Sequence, residues 1–211
     1  MTKLICFDLD GVIVEPHNFW LELHKALGTL EEGTVLTKKY LYTDYQKLVE
    51  EVVHKLWKGK NAAPYYALIK KIAYLPGVAE IFKEIKKQDW MTAIISSGSL
   101  DLARRVQHDL GIDHIYANEL IIKNNIITGE FVWPIGSGNH HKVKIIKHLC
   151  QDFGIKPKEV IYVGDSESDI EAFEFVGTSI AFNATSEKLK KKATHIVEGN
   201  NLRQILPYIR R

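Results

Sequence analysis

The run Leu4-Ile5-Cys6-Phe7-Asp8-Leu9-Asp10-Gly11-Val12 constrains the chain more than any other stretch. Four apolar residues lead into two carboxylates spaced two apart, followed by a glycine that permits a sharp turn. Such a run reads as a buried strand that ends in a polar site. Alternate side chains of an extended chain share a face, so Asp8 and Asp10 project together into one small volume. Two carboxylates about 4 Å apart at an effective dielectric near 20 repel by about 4 kcal/mol, so a cation or a retained proton is required. The pair suits a division of labour, one carboxylate serving as nucleophile or metal ligand and the other as proton donor. A lone Asp-x-Asp also caps helices and solvates turns, so the rest of the chain must decide.

A chain of 211 residues is long enough for one substantial core with a smaller inserted or appended unit. Lys and Arg number 28 against 26 Asp and Glu, so the net charge of +2 calls for neither nucleic acid nor an anionic membrane. The densest basic run, Lys188 to Lys192, reads as a solvated helix face. Cys6 and Cys150 are too few for a disulfide framework, which fits a cytoplasmic location. Asp8 interrupts the first apolar run, so no signal peptide is expected, and no stretch approaches the length of a membrane span.

From Glu15 to Tyr74 the apolar period becomes helical, with Phe19, Leu23, Ala26 and Leu27 on one face and Leu48, Val52 and Leu56 on another. Pro16 is placed to open the first helix and Gly28 to end it, with His17 and His24 two turns apart upon it. Tyr40, Tyr42, Tyr45, Trp57, Tyr65, Tyr66 and Tyr74 make this insert aromatic, as packing of a small bundle or as a substrate lid. Pro76-Gly77 opens a helix over Val78 to Lys87, then come a strand Met91 to Ser96, a helix Leu100 to Leu110 and a short strand near Ile115 to Tyr116. Asn118 to Ile122 and Ile126 to Val132, around Lys123-Asn124-Asn125, predict a β-hairpin. A helix Lys142 to Phe153, strands Val160 to Val163 and Ser179 to Phe182, and helices Ile170 to Phe175, Glu187 to Lys192 and Leu202 to Ile209 complete the chain. Alternation of this kind predicts an α/β fold, a parallel sheet with helices on both faces and ligands at the carboxyl ends of its strands.

Two further strand ends carry chemistry. Ser96-Ser97-Gly98-Ser99 reads as a hydroxyl-rich turn that offers N–H groups to an anion, and Gly164-Asp165-Ser166-Glu167-Ser168-Asp169 as a carboxylate cluster suited to Mg²⁺. In order along the chain, Asp-x-Asp-Gly-Val, a strand-terminal serine, a lysine at a helix start and Gly-Asp-x-x-x-Asp resemble the four motifs of the haloacid dehalogenase-like superfamily. Tyr116-Ala117-Asn118-Glu119-Leu120, Ser179-Ile180-Ala181-Phe182-Asn183-Ala184 and Leu202-Arg203-Gln204-Ile205-Leu206 resemble its phosphoserine phosphatase-like branch, and the resemblance covers nearly the whole chain.

The resemblance implies a Rossmann-like core over residues 1–14 and 76–211, with a helical cap over 15–75 inserted after the first strand and hinged near Val14 to Pro16 and Leu75 to Gly77. It implies a Mg²⁺-dependent phosphatase of small-molecule phosphate monoesters acting through an aspartyl-phosphate. Asp8 would be the nucleophile and Asp10 the general acid and base. Ser97, with the Gly98 amide, would bind the phosphoryl group, Ser96 being the alternative register; Lys142, or else Lys144, would neutralise charge. Asp8, the Asp10 carbonyl and Asp165 would hold Mg²⁺, with Asp169 a further metal-sphere or lysine-orienting carboxylate. His140 and His141 read as capping residues, lacking the partners of a zinc site.

The chain departs from the branch in its insert. Counting from Asp8, the glutamate that grips the substrate ammonium falls at His17, and Asp44 to Val52 holds no arginine for the carboxylate. Lys47 does not replace a bidentate guanidinium, so phosphoserine is not the expected substrate, and an aromatic lid favours a less polar or larger ester. A phosphotransferase or phosphomutase would use the same intermediate, and a non-catalytic phospho-binding module would need neither Asp10 nor the lid.

Overall fold

Strand β1 (Leu4–Phe7) is followed by helices α1 (Phe19–Ala26), α2 (Leu30–Tyr40), α3 (Tyr45–Val49), which continues as a π-helical segment Glu50–Trp57, and α4 (Ala63–Lys71). Then come α5 (Val78–Lys86), β2 (Met91–Ser99), α6 (Leu100–Leu110), β3 (His114–Lys123), β4 (Ile126–Val132), α7 (His140–Asp152) and β5 (Val160–Gly164). The chain ends with α8 (Ile170–Phe175), β6 (Thr178–Phe182), α9 (Glu187–Lys190), β7 (His195–Val197) and α10 (Leu206–Ile209). These elements come from a computed structural model that describes residues 4–138 and 140–209. The expected core bounds at residues 1 and 211 lie outside the described residues.

Alternation along β1 sets the layers. Ile5 and Phe7 enter one core with the buried faces of α5 and α6, where the Phe7 and Phe82 rings lie 5.1 Å apart. Leu4 and Cys6 enter the other core with α7 and α8. A strand apolar on both faces belongs at the centre of a covered sheet, and the strand order is β4-β3-β2-β1-β5-β6-β7, parallel except for β4. β1 therefore stands between β2 and β5, where the order reverses and the carboxyl ends open a crevice.

Four local readings need correction. β2 does not end at Ser96: the chain stays extended to Ser99, with its register against β3 shifting between Ile95 and Ser99, so the serines lie on an irregular strand rather than a turn. Asp10 and α1 hold this stretch, because Trp20 Nε1 donates to the Ser97 carbonyl at 2.8 Å. β3 is one strand, not two, pairing parallel with β2 at its start and antiparallel with β4 at its end; Asn124 and Asn125, both at positive φ, make the hairpin turn. The first helix opens at Phe19 with Asn18 as N-cap, which leaves Pro16 and His17 in the preceding loop. The π-helical segment turns more slowly than an α-helix and brings Trp57, rather than Leu56, fully inward.

The helices between Glu15 and Leu75 join the sheet through two crossing strands that pair with each other. Glu15 N–H donates to Ala73 O at 3.1 Å and Leu75 N–H to Ile13 O at 2.9 Å. The Arg105 guanidinium of α6 donates to the carbonyls of Ile69 and Ile72 and clasps the end of α4. Among the described residues no helix is long and apolar enough to cross a membrane, and both cysteines are free and buried.

His24 is a core histidine. It is 3% exposed, its Nδ1 lies 2.8 Å from Thr29 Oγ1 and its ring lies 4.6 Å from Trp57. Burial pulls its pKa down to about 4, against a hydrogen bond to the Thr29 backbone. Below 6.5 the unfolded chain gains a proton that the folded chain refuses until about pH 4, so stability is lost across that window as pH falls. Relative to a His24→Gln variant, the wild type is expected to lose about 2 kcal/mol between neutrality and pH 4, read by urea unfolding; a constant difference would contradict a buried neutral imidazole.

Candidate active site

The residues singled out in the sequence converge at the carboxyl ends of β1, β2 and β5. Asp8 follows β1 directly, and its Oδ1 accepts the Leu9 N–H at 2.6 Å while Oδ2 accepts from Lys142 Nζ at 2.7 Å. Lys142, in the first turns of α7, is fully buried and donates also to Asp169 Oδ1 at 2.6 Å. Lys144 points to solvent, so the two candidate lysines are separated by burial. Asp169 spends its other oxygen on the N–H groups of Asp165 and Ser166, both at 3.2 Å, and is thereby the carboxylate that orients the lysine.

Asp10 leans toward the helical layer. Its Oδ2 accepts the Phe19 N–H at 2.9 Å, the first turn of α1, and its Oδ1 is buried without a partner. Ser96 is buried, with Oγ accepting the Gly98 N–H at 3.0 Å; Ser97 is half-buried and its carbonyl accepts from Trp20 and from Asn118. A Cβ at Gly98 would stand 3.0 Å from Asp10 Oδ2 and 3.2 Å from Ser96 Oγ, a tight fit that would require these side chains to give way. Ser96 is the more deeply buried of the two serines, and both line the cavity.

That cavity, about 140 Å³, is also lined by Asp8, Asp10, His17, Tyr42, Tyr45 and Asp165 and lies between the sheet and the helical layer. One carboxylate oxygen each from Asp8, Asp165 and Asp169 lie within 4.8 Å of one another. An all-oxygen, all-acidic donor set of this kind fits a hard divalent cation. The Asp10 side chain is not among these three; it faces the Ser96 side of the cavity.

Electrostatics divide the pair as the spacing led us to expect. Burial pushes Asp10 up to about 7, with the Phe19 N–H pulling back, so it titrates near neutrality and can both give and take a proton. Burial also raises Asp8, to about 6, but Lys142 opposes it. Lys142 itself, disfavoured by burial, is kept charged by Asp169 and Asp8 and its pKa is raised. Asp165 is raised by burial and eased by His17.

Three contacts were not read from the sequence. His17 Nδ1 lies 2.8 Å from Asp165 Oδ2, which raises the His17 pKa through that hydrogen bond. Gly11, at φ +76°, is packed against this pair with no room for a Cβ. Tyr162, in the middle of the apolar run of β5, donates from its hydroxyl to Asp169 Oδ1 at 2.9 Å. Asn118, fully buried in β3, binds the Ser97 and Gly136 carbonyls through Nδ2 and accepts the Ile135 and Gly136 N–H groups on Oδ1. Only the polar residue within an apolar strand hinted at the last two.

His140 and His141 stack on each other at 4.0 Å outside this cluster, and Glu167 is a surface residue that accepts from Ser186 and Lys188. The cation of the α3 region, Lys47, bonds Glu50 and Glu51 rather than facing the cavity.

A family model for haloacid dehalogenase-like hydrolases matches residues 5–174. The chain is similar to a phosphoserine phosphatase of Methanocaldococcus jannaschii, with 30% identity over 210 residues that cover 99% of this chain and 98% of the relative. Among solved structures it resembles a substrate-bound phosphoserine phosphatase complex, at TM-score 0.87 and 30% identity, covering 100% of this chain and 99% of that one. A phospho-aspartyl intermediate analogue of phosphoserine phosphatase matches with the same TM-score and identity over 99% of each chain.

Proposed function

The chain belongs to the haloacid dehalogenase-like hydrolases, in their phosphoserine phosphatase-like branch, and we propose that it is a Mg²⁺-dependent phosphatase acting through a phosphoryl group on Asp8. The observation that carries this reading is the Lys142 bridge between Asp8 and Asp169 at 2.7 and 2.6 Å, beside a cavity that Asp8 and Asp10 both line. The likeness of the chain to a phospho-aspartyl intermediate analogue of phosphoserine phosphatase supports it.

In the first step an Asp8 oxygen attacks phosphorus, the bond to the alcohol oxygen breaks, and the Asp10 proton passes to the leaving alkoxide. Lys142 stays charged throughout and offsets negative charge on Asp8 and the phosphoryl oxygens. The Ser96 hydroxyl, which accepts the Gly98 N–H and keeps its own proton to donate, would orient those oxygens, with the Ser97 hydroxyl the alternative donor on the same cavity wall. In the second step Asp10, now ionised, takes a proton from water as it attacks phosphorus; the bond to Asp8 breaks and inorganic phosphate leaves.

Asp8, the Asp10 carbonyl and Asp165 would hold Mg²⁺, with Asp169 behind them fixing Lys142. Bound there, the ion supplies positive charge that keeps Asp8 ionised and compensates the phosphoryl group. Residues 15–75 act as the cap over this site, hinged at the paired strands around Val14 and Tyr74.

The reading is tested by release of inorganic phosphate from a panel of phosphate monoesters with Mg²⁺, with chelator as the blank. Asp10→Asn keeps the shape and the acceptor for Phe19 but donates no acidic proton, and kcat is expected to fall by about 10²–10⁴-fold. Release that persists at full rate in chelator or in Asp10→Asn would count against the proposal.

A further inference from the structure

A second chamber lies inside the helical layer, against the wall of the phosphate-side cavity. It has a volume of about 70 Å³ and is lined by Leu48, Val49, Val52, Val53, Trp57 and Phe131, among others. The two chambers share Asn18, Trp20, Leu41 and Tyr45, so they abut across those four side chains. A phosphate ester held at Asp8 has its alcohol oxygen beside Asp10, and Asp10 is tied through Phe19 to α1, the helix that carries Trp20. The alcohol half of the ester therefore points toward this wall.

The charges around both chambers limit what that half can be. Among the described residues lining them there is no lysine or arginine, and the apolar chamber holds no carboxylate. Lys47 is held on the outer face by Glu50 and Glu51, at 2.9 and 3.1 Å. His24, the one imidazole on the chamber, is engaged with Thr29 and packed on Trp57. An amino acid side would place an ammonium and a carboxylate here with no partner for the carboxylate, and burying either unpaired is strongly unfavourable. Trp20, Trp57, Leu48, Val52 and Phe131 instead offer apolar contact.

On the hydrolase reading above, we propose that the alcohol half of the substrate is short, uncharged and apolar, and that it occupies this chamber with Trp20, Leu41 and Tyr45 as its threshold. An apolar cavity of about 150 Å³ holds the six carbons of benzene, so half that volume admits about three carbons, with a fourth at the threshold. Specificity then comes from burial of methylenes rather than from a charged clamp.

The test is kcat/KM for methyl, ethyl, propyl and butyl phosphate beside O-phosphoserine, with Mg²⁺, in wild type and in Val49→Phe, which narrows the chamber at a half-buried position. Each methylene is expected to raise kcat/KM by about fourfold, butyl phosphate is expected to exceed phosphoserine, and Val49→Phe is expected to lower the butyl-to-methyl ratio toward one. A flat series, or phosphoserine above butyl phosphate, with turnover that depends on Asp8 would overturn this proposal and leave the hydrolase standing. Absence of Asp8-dependent turnover for every ester would instead overturn the hydrolase. In that event, calorimetry of methyl- and butylphosphonate with the Mg²⁺-loaded protein still decides the chamber: tighter binding of the butyl compound supports it, and equal binding refutes it.

Discussion

Asp8→Asn is expected to reduce phosphate-ester hydrolysis by about 10⁴-fold or more, because it removes the attacking oxygen while leaving the shape of the site. The fold is expected to survive. Lys142 keeps its 2.6 Å bond to Asp169, and an asparagine Oδ1 can still accept the Leu9 N–H. Stability in the absence of metal is expected to change little, because the amide Nδ2 would offer Lys142 a donor in place of an acceptor while the cost of burying an ionised Asp8 is relieved. Burial raises the Asp8 pKa from 3.8 to about 6, and a carboxylate with a raised folded-state pKa destabilises the fold as pH climbs above its unfolded value. Steady-state kinetics and thermal unfolding with chelator measure the two effects together; a variant that is both inactive and much less stable would mean that Asp8 is a structural anchor instead.

Lys142→Met is expected to cost both activity and stability. The lysine is fully buried between Asp8 and Asp169, with no solvent to replace it. Removing one partner from a buried ionic network costs about 3–5 kcal/mol, because the remaining charges are left uncompensated. The loss should depend on pH in a definite sense. Without the cation, the folded-state pKa of Asp8 rises further above 3.8, so the variant's deficit shrinks as pH falls and both states become protonated, and it is largest at neutral and higher pH. Urea unfolding across that range, against wild type at each pH, checks it; a deficit that grows on acidification would contradict the bridge. Lys144→Met, on the exposed face of the same helix, is expected to change neither quantity measurably.

Much of the site was legible because its signals are local. Apolar strands that run into carboxylates at Asp8 and Asp165 place their own side chains, and alternation of strand and helix sets the parallel sheet. Where two readings stood open, burial differs between the candidates: Lys142 is inside and Lys144 outside, and Ser96 is buried while Ser97 is half-buried. The rest depends on contacts between distant segments. His17 meets Asp165 across 148 positions, and no spacing rule reaches that far. Tyr162 passes for one more apolar strand residue until the Asp169 carboxylate is seen against its hydroxyl. The inward turn of Trp57 follows from a π-helical stretch, which α-helical periodicity cannot anticipate. The apolar chamber is likewise assembled from α1, α2, α3, the π-helical segment and β4, none of which announces a pocket alone.

The most direct test is to mix the protein with a hydrolysable phosphate ester and Mg²⁺, quench in acid within one turnover, and map peptides by mass spectrometry. One phosphoryl group on the peptide that contains Asp8 is the expected result, absent in Asp8→Asn and slower both to form and to disappear in Asp10→Asn, which lacks the acid of the first step and the base of the second. Turnover with no phosphoryl group on Asp8 under any of these conditions would contradict the covalent mechanism.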